Sequence, residues 1–166
     1  MTDPAKQLRA YGRRGVVVDA NLLLLLFLGS YDRRQISTNK RLAKFSDDDF
    51  DLLTKVLKLF SQIITTPNVL TEVSNLSNAI PDTKKATYFA WFASHVSVLQ
   101  EEYVPSTIAL GNRWFRFGLT DAGIAEIAKN RYLVLTDDLR LSYALQSDGI
   151  DSLNFTHLRE MVFATQ

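Results

Sequence analysis

Residues 16–28 read VVVDANLLLLLFL, and this stretch decides the fold. Its three opening valines favour a short buried strand, whereas the leucines from Leu22 onward favour a helix. We therefore predict a buried strand that stops at Asp19 and turns at once into a helix. A carboxylate between Val18 and five consecutive leucines is costly to bury unless it has a partner, which favours a functional role for Asp19.

The same stretch is the longest apolar run of the chain, so it needs a test as a membrane or signal segment. Its thirteen residues are too few to cross a bilayer, and Asp19 and Asn21 lie where a signal core would carry neither. The run is therefore predicted to be protein interior. The absence of cysteine excludes disulfide scaffolds and thiol catalysis and gives no sign of an oxidising compartment. We expect a cytoplasmic protein without membrane contact.

Helices and short apolar strands alternate along the rest of the chain. Further strands are predicted at residues 63–66, 132–135 and 152–155. Helices are predicted at about residues 46–60, 67–76, 84–98, 106–114, 120–128, 139–145 and 156–163. This alternation predicts an α/β fold, a three-layer α/β/α sandwich with a mainly parallel central sheet, in one domain over residues 1–166.

The basic residues are concentrated in the first quarter of the chain. Residues 1–44 carry a net charge of +6 and the remaining residues −5, which suggests that one region meets an anion and the other carries carboxylates. Residues 29–45 have no clear hydrophobic period and are predicted to form a mobile basic loop. Lysine and arginine supply much of the sequence-independent affinity for nucleic acid. The predicted phosphate contacts are Arg33, Arg34, Lys40 and Arg41.

Carboxylates follow two of the predicted strands. Asp19 ends the first strand, and Asp137 and Asp138 follow a later one. Parallel sheets place their sites outside the carboxyl ends of the strands, so these side chains are expected at one edge. Asp121 begins the helix that leads into the later strand, and Glu72 lies on a helix that could lean over the same edge. Together they predict a pocket of four carboxylates.

Taken singly, most of these carboxylates have ordinary explanations, such as a charge at a helix N-terminus or a solvated helix side chain. Their joint placement favours a metal site, because converging carboxylates cannot all be ionised without a cation. Hard oxygen ligands suit Mg²⁺ or Mn²⁺ rather than zinc. The two histidines, His95 and His157, lie far apart and lack the spacing of a zinc site.

Four segments of the chain resemble the PIN-domain nucleases in order and in local pattern. The segments are VVVDANLLL, PNVLTEVSNL, LTDAGIAEIA and YLVLTDDLRL, and the resemblance covers residues from about 16 to 155. The catalytic acidic residues that it implies are Asp19, Glu72, Asp121 and Asp138. The metal ligands that it implies are Asp19, Asp121 and Asp138, with Asp137 as a substitute for Asp138. The side chains that would orient them are Asn21 and Thr136.

The resemblance also implies an activity and a set of partners. It implies an Mg²⁺- or Mn²⁺-dependent endoribonuclease that hydrolyses single-stranded RNA through a metal-activated water. RNA, a second copy of the chain and, for toxin-type members, an inhibitory antitoxin protein are the implied partners. Asp19 and Glu72 are 53 positions apart, more than expected for the compact toxin endoribonucleases of this family, so residues 29–45 are interpreted as an insertion or an enlarged clamp.

Two other classes of function stay open at this point. One is a noncatalytic RNA-binding or scaffold domain with the same fold, which would bind RNA without cutting it. The other is a structure-selective DNA nuclease or a metal-dependent phosphatase. The phosphatase is the weaker of these two, because no carboxylates follow a strand in the DxD pattern of a nucleophile.

Overall fold

The computed structural model describes residues 3–111 and 113–164, and these form a single five-stranded sheet with its covering helices. The strands are β1 (Val16–Val18), β2 (Ile63–Thr65), β3 (Gln100–Glu101), β4 (Leu133–Thr136) and β5 (Ser152–Asn154). They lie in the order β3-β2-β1-β4-β5, and every neighbouring pair is parallel. The predicted α/β fold with a parallel central sheet is confirmed.

The central strand β1 is buried on both faces. Val16, Val17 and Val18 each have no exposed surface, although successive side chains of a strand point to opposite faces of the sheet. Helices must therefore cover both faces, which makes the sheet the middle layer of the predicted three-layer sandwich.

The direction of strand addition changes between β1 and β4. From β1 the chain adds β2 and then β3 on one side, and it later returns to add β4 and β5 on the other. Connections at such a switch point leave the sheet in opposite directions and open a crevice outside the carboxyl ends of the strands. Asp19 follows β1 directly and Asp137 follows β4 directly, so both lie at this crevice.

The helices follow the predicted order, and most begin within two residues of the predicted position. The helices are α1 (Pro4–Tyr11), α2 (Ala20–Tyr31), α3 (Gln35–Thr38), α4 (Asp47–Leu57), α5 (Pro67–Ser77), α6 (Asp82–Val96), α7 (Ser106–Ala109), α8 (Leu119–Ala128), α9 (Leu139–Ser147) and α10 (Phe155–Phe163). Two short 3₁₀ helices span Lys40–Leu42 and Trp114–Arg116.

Helix α2 is apolar on every side and lies at the centre of the core. Leu22, Leu23, Leu25 and Leu28 have no exposed surface, because the helix packs against α4, α5, α6 and the sheet. Full burial of one leucine contributes roughly 1.5–3 kcal/mol. Helix α2 therefore fixes the position of its first residue, and with it the position of Asp19.

Residues 29–45 are folded, and the predicted loop is wrong in that respect. Helix α2 continues to Tyr31, and helix α3 and a 3₁₀ helix follow. Ile36, Leu42 and Phe45 are buried in the core and hold these turns in place. The helical segments are only four and three residues long, so they are too short to give the sequence a hydrophobic period.

Three other elements differ from the prediction. Helix α1 and the two-residue edge strand β3 were not predicted, and β3 consists of exposed polar residues. The helix predicted at residues 106–114 is limited to α7, and a 3₁₀ helix follows at Trp114–Arg116. None of the helices in the described part of the chain has the length and apolar character needed to span a bilayer.

Candidate functional site

Asp19 lies buried between β1 and β4 at the crevice, and its carboxylate accepts three hydrogen bonds. Its backbone N–H donates to the carbonyl oxygen of Leu135 at 3.1 Å, which continues the parallel pairing of the strands by one residue. Its carboxylate accepts from the N–H of Leu22 at 2.9 Å and thereby caps α2. It also accepts from the N–H of Asp137 at 3.0 Å and from the hydroxyl of Thr136.

Burial raises the pKa of Asp19 above its usual range, and the charge of Asp137 raises it further. The three hydrogen bonds stabilise the charged form and oppose this rise, but their effect is smaller. Without a further positive charge, the carboxylate of Asp19 is therefore held in an unfavourable environment.

A lysine supplies positive charge to this environment in the structure. The ammonium of Lys44 forms a salt bridge with Asp137, whose side chain is only 4% exposed. The other oxygen of Asp137 accepts a hydrogen bond from the amide of Asn21 at 3.3 Å. Asn21 therefore helps to position the carboxylate of Asp137. The sequence did not single out Lys44, which follows the 3₁₀ helix Lys40–Leu42 among several other basic residues.

A second group of carboxylates comes from α8, α9 and α5. Asp121 is in the first turn of α8, Asp138 caps α9, and Glu72 lies on α5, which packs against α8. Burial raises the pKa of Asp121 from 3.8 to about 6, and the charges of Asp138 and Glu72 add to the rise. The positive charge of Arg140 opposes it. The charges of Asp138 and Glu72 thus both act on Asp121.

The hydroxyl of Thr136 joins the two groups. It donates to Asp19 and accepts from the N–H of Asp138 at 2.9 Å. Asp138 accepts in turn from the N–H of Leu141 at 3.1 Å, which is its capping bond to α9. The sequence left open whether Asp137 or Asp138 belongs to the site, and the structure divides them: Asp137 adjoins Asp19, and Asp138 adjoins Asp121.

The five acidic residues therefore lie at one edge of the sheet as two neighbouring groups. Within residues 3–111 and 113–164, no three side chains of histidine, aspartate or glutamate converge closely enough to hold a metal ion as they stand. The chemistry of the donors nevertheless suits a hard cation, because all are carboxylate oxygens and the side chains of Asp19 and Asp137 are buried beside one another. The ammonium at Asp137 is the one cation paired with these five carboxylates in the described structure.

The predicted phosphate contacts on residues 29–45 differ in their surroundings. Arg33 pairs with Asp51 at 2.8 Å and with Asp47 at 3.5 Å, and Arg34 pairs with Asp32 at 3.0 Å. Carboxylates thus balance both arginine charges. The side chains of Lys40 and Arg41 are exposed and form no salt bridge with any described residue.

The raised pKa of Asp121 predicts a dependence of stability on pH. Folding favours its protonated form, so its contribution to stability is fully present below about pH 4 and is lost as the pH rises through about 6. In EDTA, the melting temperature of Asp121→Asn relative to the wild type should therefore rise between pH 4 and pH 7. The free energy of unfolding of the variant relative to the wild type should rise by about 1–2 kcal/mol over this range, a figure that allows for the part of the side chain that solvent reaches. Thermal unfolding of both proteins across this range measures the effect, and parallel curves would contradict it.

Comparison with models of known protein families and with curated proteins found no match to this chain.

Proposed function

We propose that this chain is a metal-dependent endoribonuclease of the PIN-domain type that hydrolyses phosphodiester bonds of single-stranded RNA. One observation carries the proposal. Carboxylates from four different elements lie at the switch point of a parallel sheet. The pKa values of two of them, Asp19 and Asp121, are raised by burial and by the charges of neighbouring carboxylates. Such an arrangement is unfavourable for stability alone and becomes favourable when a cation is bound.

Asp19, Asp121 and Asp138 are the residues that would hold Mg²⁺ or Mn²⁺, with Glu72 beside Asp121 and with Asp137 available once Lys44 moves away. The four acidic positions that the resemblance implied lie at the same crevice, which supports the assignment. A divalent cation bound there would activate water and stabilise the negative charge that develops on the phosphodiester.

The other residues of the crevice hold these carboxylates in place. Thr136 and the N–H groups of Leu22 and Asp137 fix both oxygens of Asp19. Its burial excludes water from that side, which strengthens the electrostatic interactions of the carboxylate. No histidine is needed as a base in this scheme.

The experiment that tests the proposal is cleavage of labelled single-stranded RNA, beside DNA of the same sequence and a DNA flap, in Mn²⁺, Mg²⁺ or EDTA. We expect the purified chain to cut RNA in either metal and not in EDTA. RNA that is bound but never cut would favour the noncatalytic RNA-binding or scaffold domain. Cleavage of the flap alone would favour the DNA nuclease.

The partners that the resemblance implies are a second copy of this chain and an inhibitory antitoxin protein. The exposed surface includes several large apolar side chains, among them Tyr103, Ile108 and Phe115, on which a protein partner could pack. We include both partners in the proposal, with a cytoplasmic location. Light scattering of the purified chain measures its molar mass and thereby tests whether a second copy binds.

A further inference from the structure

A cleft of about 470 Å³ lies beside the second group of carboxylates. Its walls are Arg113, Arg116 and Phe117 on one side and, on the other, the face of α9 that carries Arg140, Tyr143, Ala144 and Ser147. We call it the arginine cleft and define it by the side chains that carry its chemistry. They are Arg113, Arg116, Phe117, Arg140 and Tyr143.

Both walls of the arginine cleft lead directly to proposed metal ligands. Arg140 is the second residue of α9, which Asp138 caps, and its charge acts on Asp121. On the other wall, Gly118 has a φ of 92°, a conformation that favours glycine, and it turns the chain from Phe117 into α8. Asp121 follows in the first turn of that helix. Arg140 therefore lines the cleft while its charge reaches the second group of carboxylates.

Two of the three guanidinium groups have no carboxylate partner in the described structure. Arg113 pairs with Asp148 at 2.5 Å, whereas Arg116 and Arg140 form no salt bridge with any described residue. Arg140 lies over the ring of Phe117, at 4.8 Å from its centre. Arg140 also donates one N–H to the backbone carbonyl oxygen of Arg116 at 3.5 Å. Guanidinium donors without a carboxylate partner match phosphate oxygens in charge and geometry.

Aromatic rings are exposed at the same place. Tyr143 is 60% exposed and lines the cleft, and Phe115 is 58% exposed on the same 3₁₀ helix as Arg116. Arginines that alternate with exposed aromatic rings form the surface on which single-stranded nucleic acids bind, with phosphates on the arginines and bases on the rings. Arg33 and Arg34 lack this combination, because aspartates balance their charges.

We propose that the arginine cleft binds the nucleotide next to the cleaved phosphodiester of a single-stranded RNA. Arg116 and Arg140 contact its phosphate oxygens, and the ring of Tyr143 stacks on its base. This assignment rests on the proposed function for the position of the cleaved bond. Because stacking does not read the edges of the base, the cleft favours single strands over duplexes without selecting one base.

The test measures the affinity for a fluorescein-labelled oligoadenylate of about ten nucleotides by fluorescence anisotropy. EDTA is present so that no cleavage occurs. Arg116→Ala combined with Arg140→Ala should weaken binding at least about tenfold and reduce the slope of log K against log salt by about 1.4, which corresponds to two phosphate contacts. Tyr143→Ala should weaken binding at least about fivefold, and Tyr143→Phe should restore it, because the ring is what stacks.

The matched control removes two exposed arginines that precede β1, whereas the crevice lies at the carboxyl ends of the strands. Arg9→Ala combined with Arg13→Ala changes the net charge by the same amount, before β1 begins, and should keep the wild-type salt slope. The proposal is overturned if the wild type does not bind the oligonucleotide, or if the cleft variants bind as it does. It is overturned equally if Arg33→Ala with Arg34→Ala removes the affinity and the cleft variants do not.

The outcomes distinguish failure of the cleft proposal from failure of the proposed function. Binding that depends on the cleft, without cleavage in any metal, would support the cleft as a binding site and contradict the nuclease activity. Cleavage that is insensitive to the cleft variants would support the nuclease activity and contradict the role of the cleft.

Discussion

Asp19→Asn is expected to remove RNA cleavage almost completely while the protein stays folded. Asparagine has nearly the same size, and its amide oxygen can still accept from the N–H of Leu22 and cap α2. The neutral amide no longer supplies the charge that holds a divalent cation. Loss of several kcal/mol of stabilisation in the transition state corresponds to a fall in rate of about 10²–10³-fold. Initial rates in Mn²⁺ measure it.

The thermal stability of Asp19→Asn separates a lost ligand from a lost fold. In EDTA two effects oppose each other, because the variant removes a buried charge but puts an NH₂ group opposite the donors of Thr136 and Asp137. We expect a melting temperature within a few degrees of the wild type, about 2–4 °C for each kcal/mol. Asp48→Asn, at an exposed carboxylate of α4, should cleave as the wild type does. An Asp19→Asn protein with more than about a tenth of the wild-type rate would contradict the assignment.

Lys44→Ala is expected to destabilise the protein in EDTA and to make its stability depend more strongly on metal. The substitution leaves the carboxylate of Asp137 buried beside Asp19 without its positive partner. Breaking a fully buried pair costs about 3–5 kcal/mol, but the side chain of Lys44 is 54% exposed, so we expect about 1–3 kcal/mol. Thermal unfolding in EDTA measures the difference.

Adding Mn²⁺ should reverse most of this loss, because the metal then supplies the positive charge. The rise in melting temperature on adding Mn²⁺ should therefore be larger for Lys44→Ala than for the wild type. Lys44→Arg keeps the charge and should resemble the wild type, and Lys58→Ala serves as the control for loss of an exposed lysine elsewhere. Equal rises for Lys44→Ala and the wild type would show that Lys44 and the metal do not share a position.

The centre of the fold was predictable because the local and the tertiary preferences agree there. The valines at residues 16–18 favour a strand, and the seven apolar residues 22–28 favour a helix, so both β1 and α2 can be predicted from local sequence. Helix α1 has a local start signal in Asp3 and Pro4, but its place in the fold depends on distant polar contacts. The hydroxyl of Tyr11 donates to Asp151 at 2.6 Å, and the amide of Gln7 donates to the same carboxylate at 3.3 Å. Nothing near residue 11 in the sequence indicates a partner beside β5.

The candidate site was predictable as far as strand ends determine it. Residues that follow parallel strands lie at one edge, so Asp19, Asp137 and Asp138 were expected together. The division between Asp137 and Asp138 depends on which of them caps α9, and adjacent aspartates give no signal for that choice. Lys44 and the pairing of Arg33 with Asp47 and Asp51 depend on how the chain folds back between α2 and α4, which no local pattern encodes.

The capping bonds of Asp19 and Asp138 limit how this protein can change in evolution. Each carboxylate begins a helix, so a lineage without the proposed nuclease activity would still need an oxygen acceptor at both positions. Replacing such a cap by alanine costs about 0.5–2 kcal/mol, whereas asparagine or serine keeps most of the stability. Inactive descendants of this chain are therefore expected to carry asparagine, serine or threonine at positions 19 and 138. Asp121 and Glu72 cap no helix and would be free to drift.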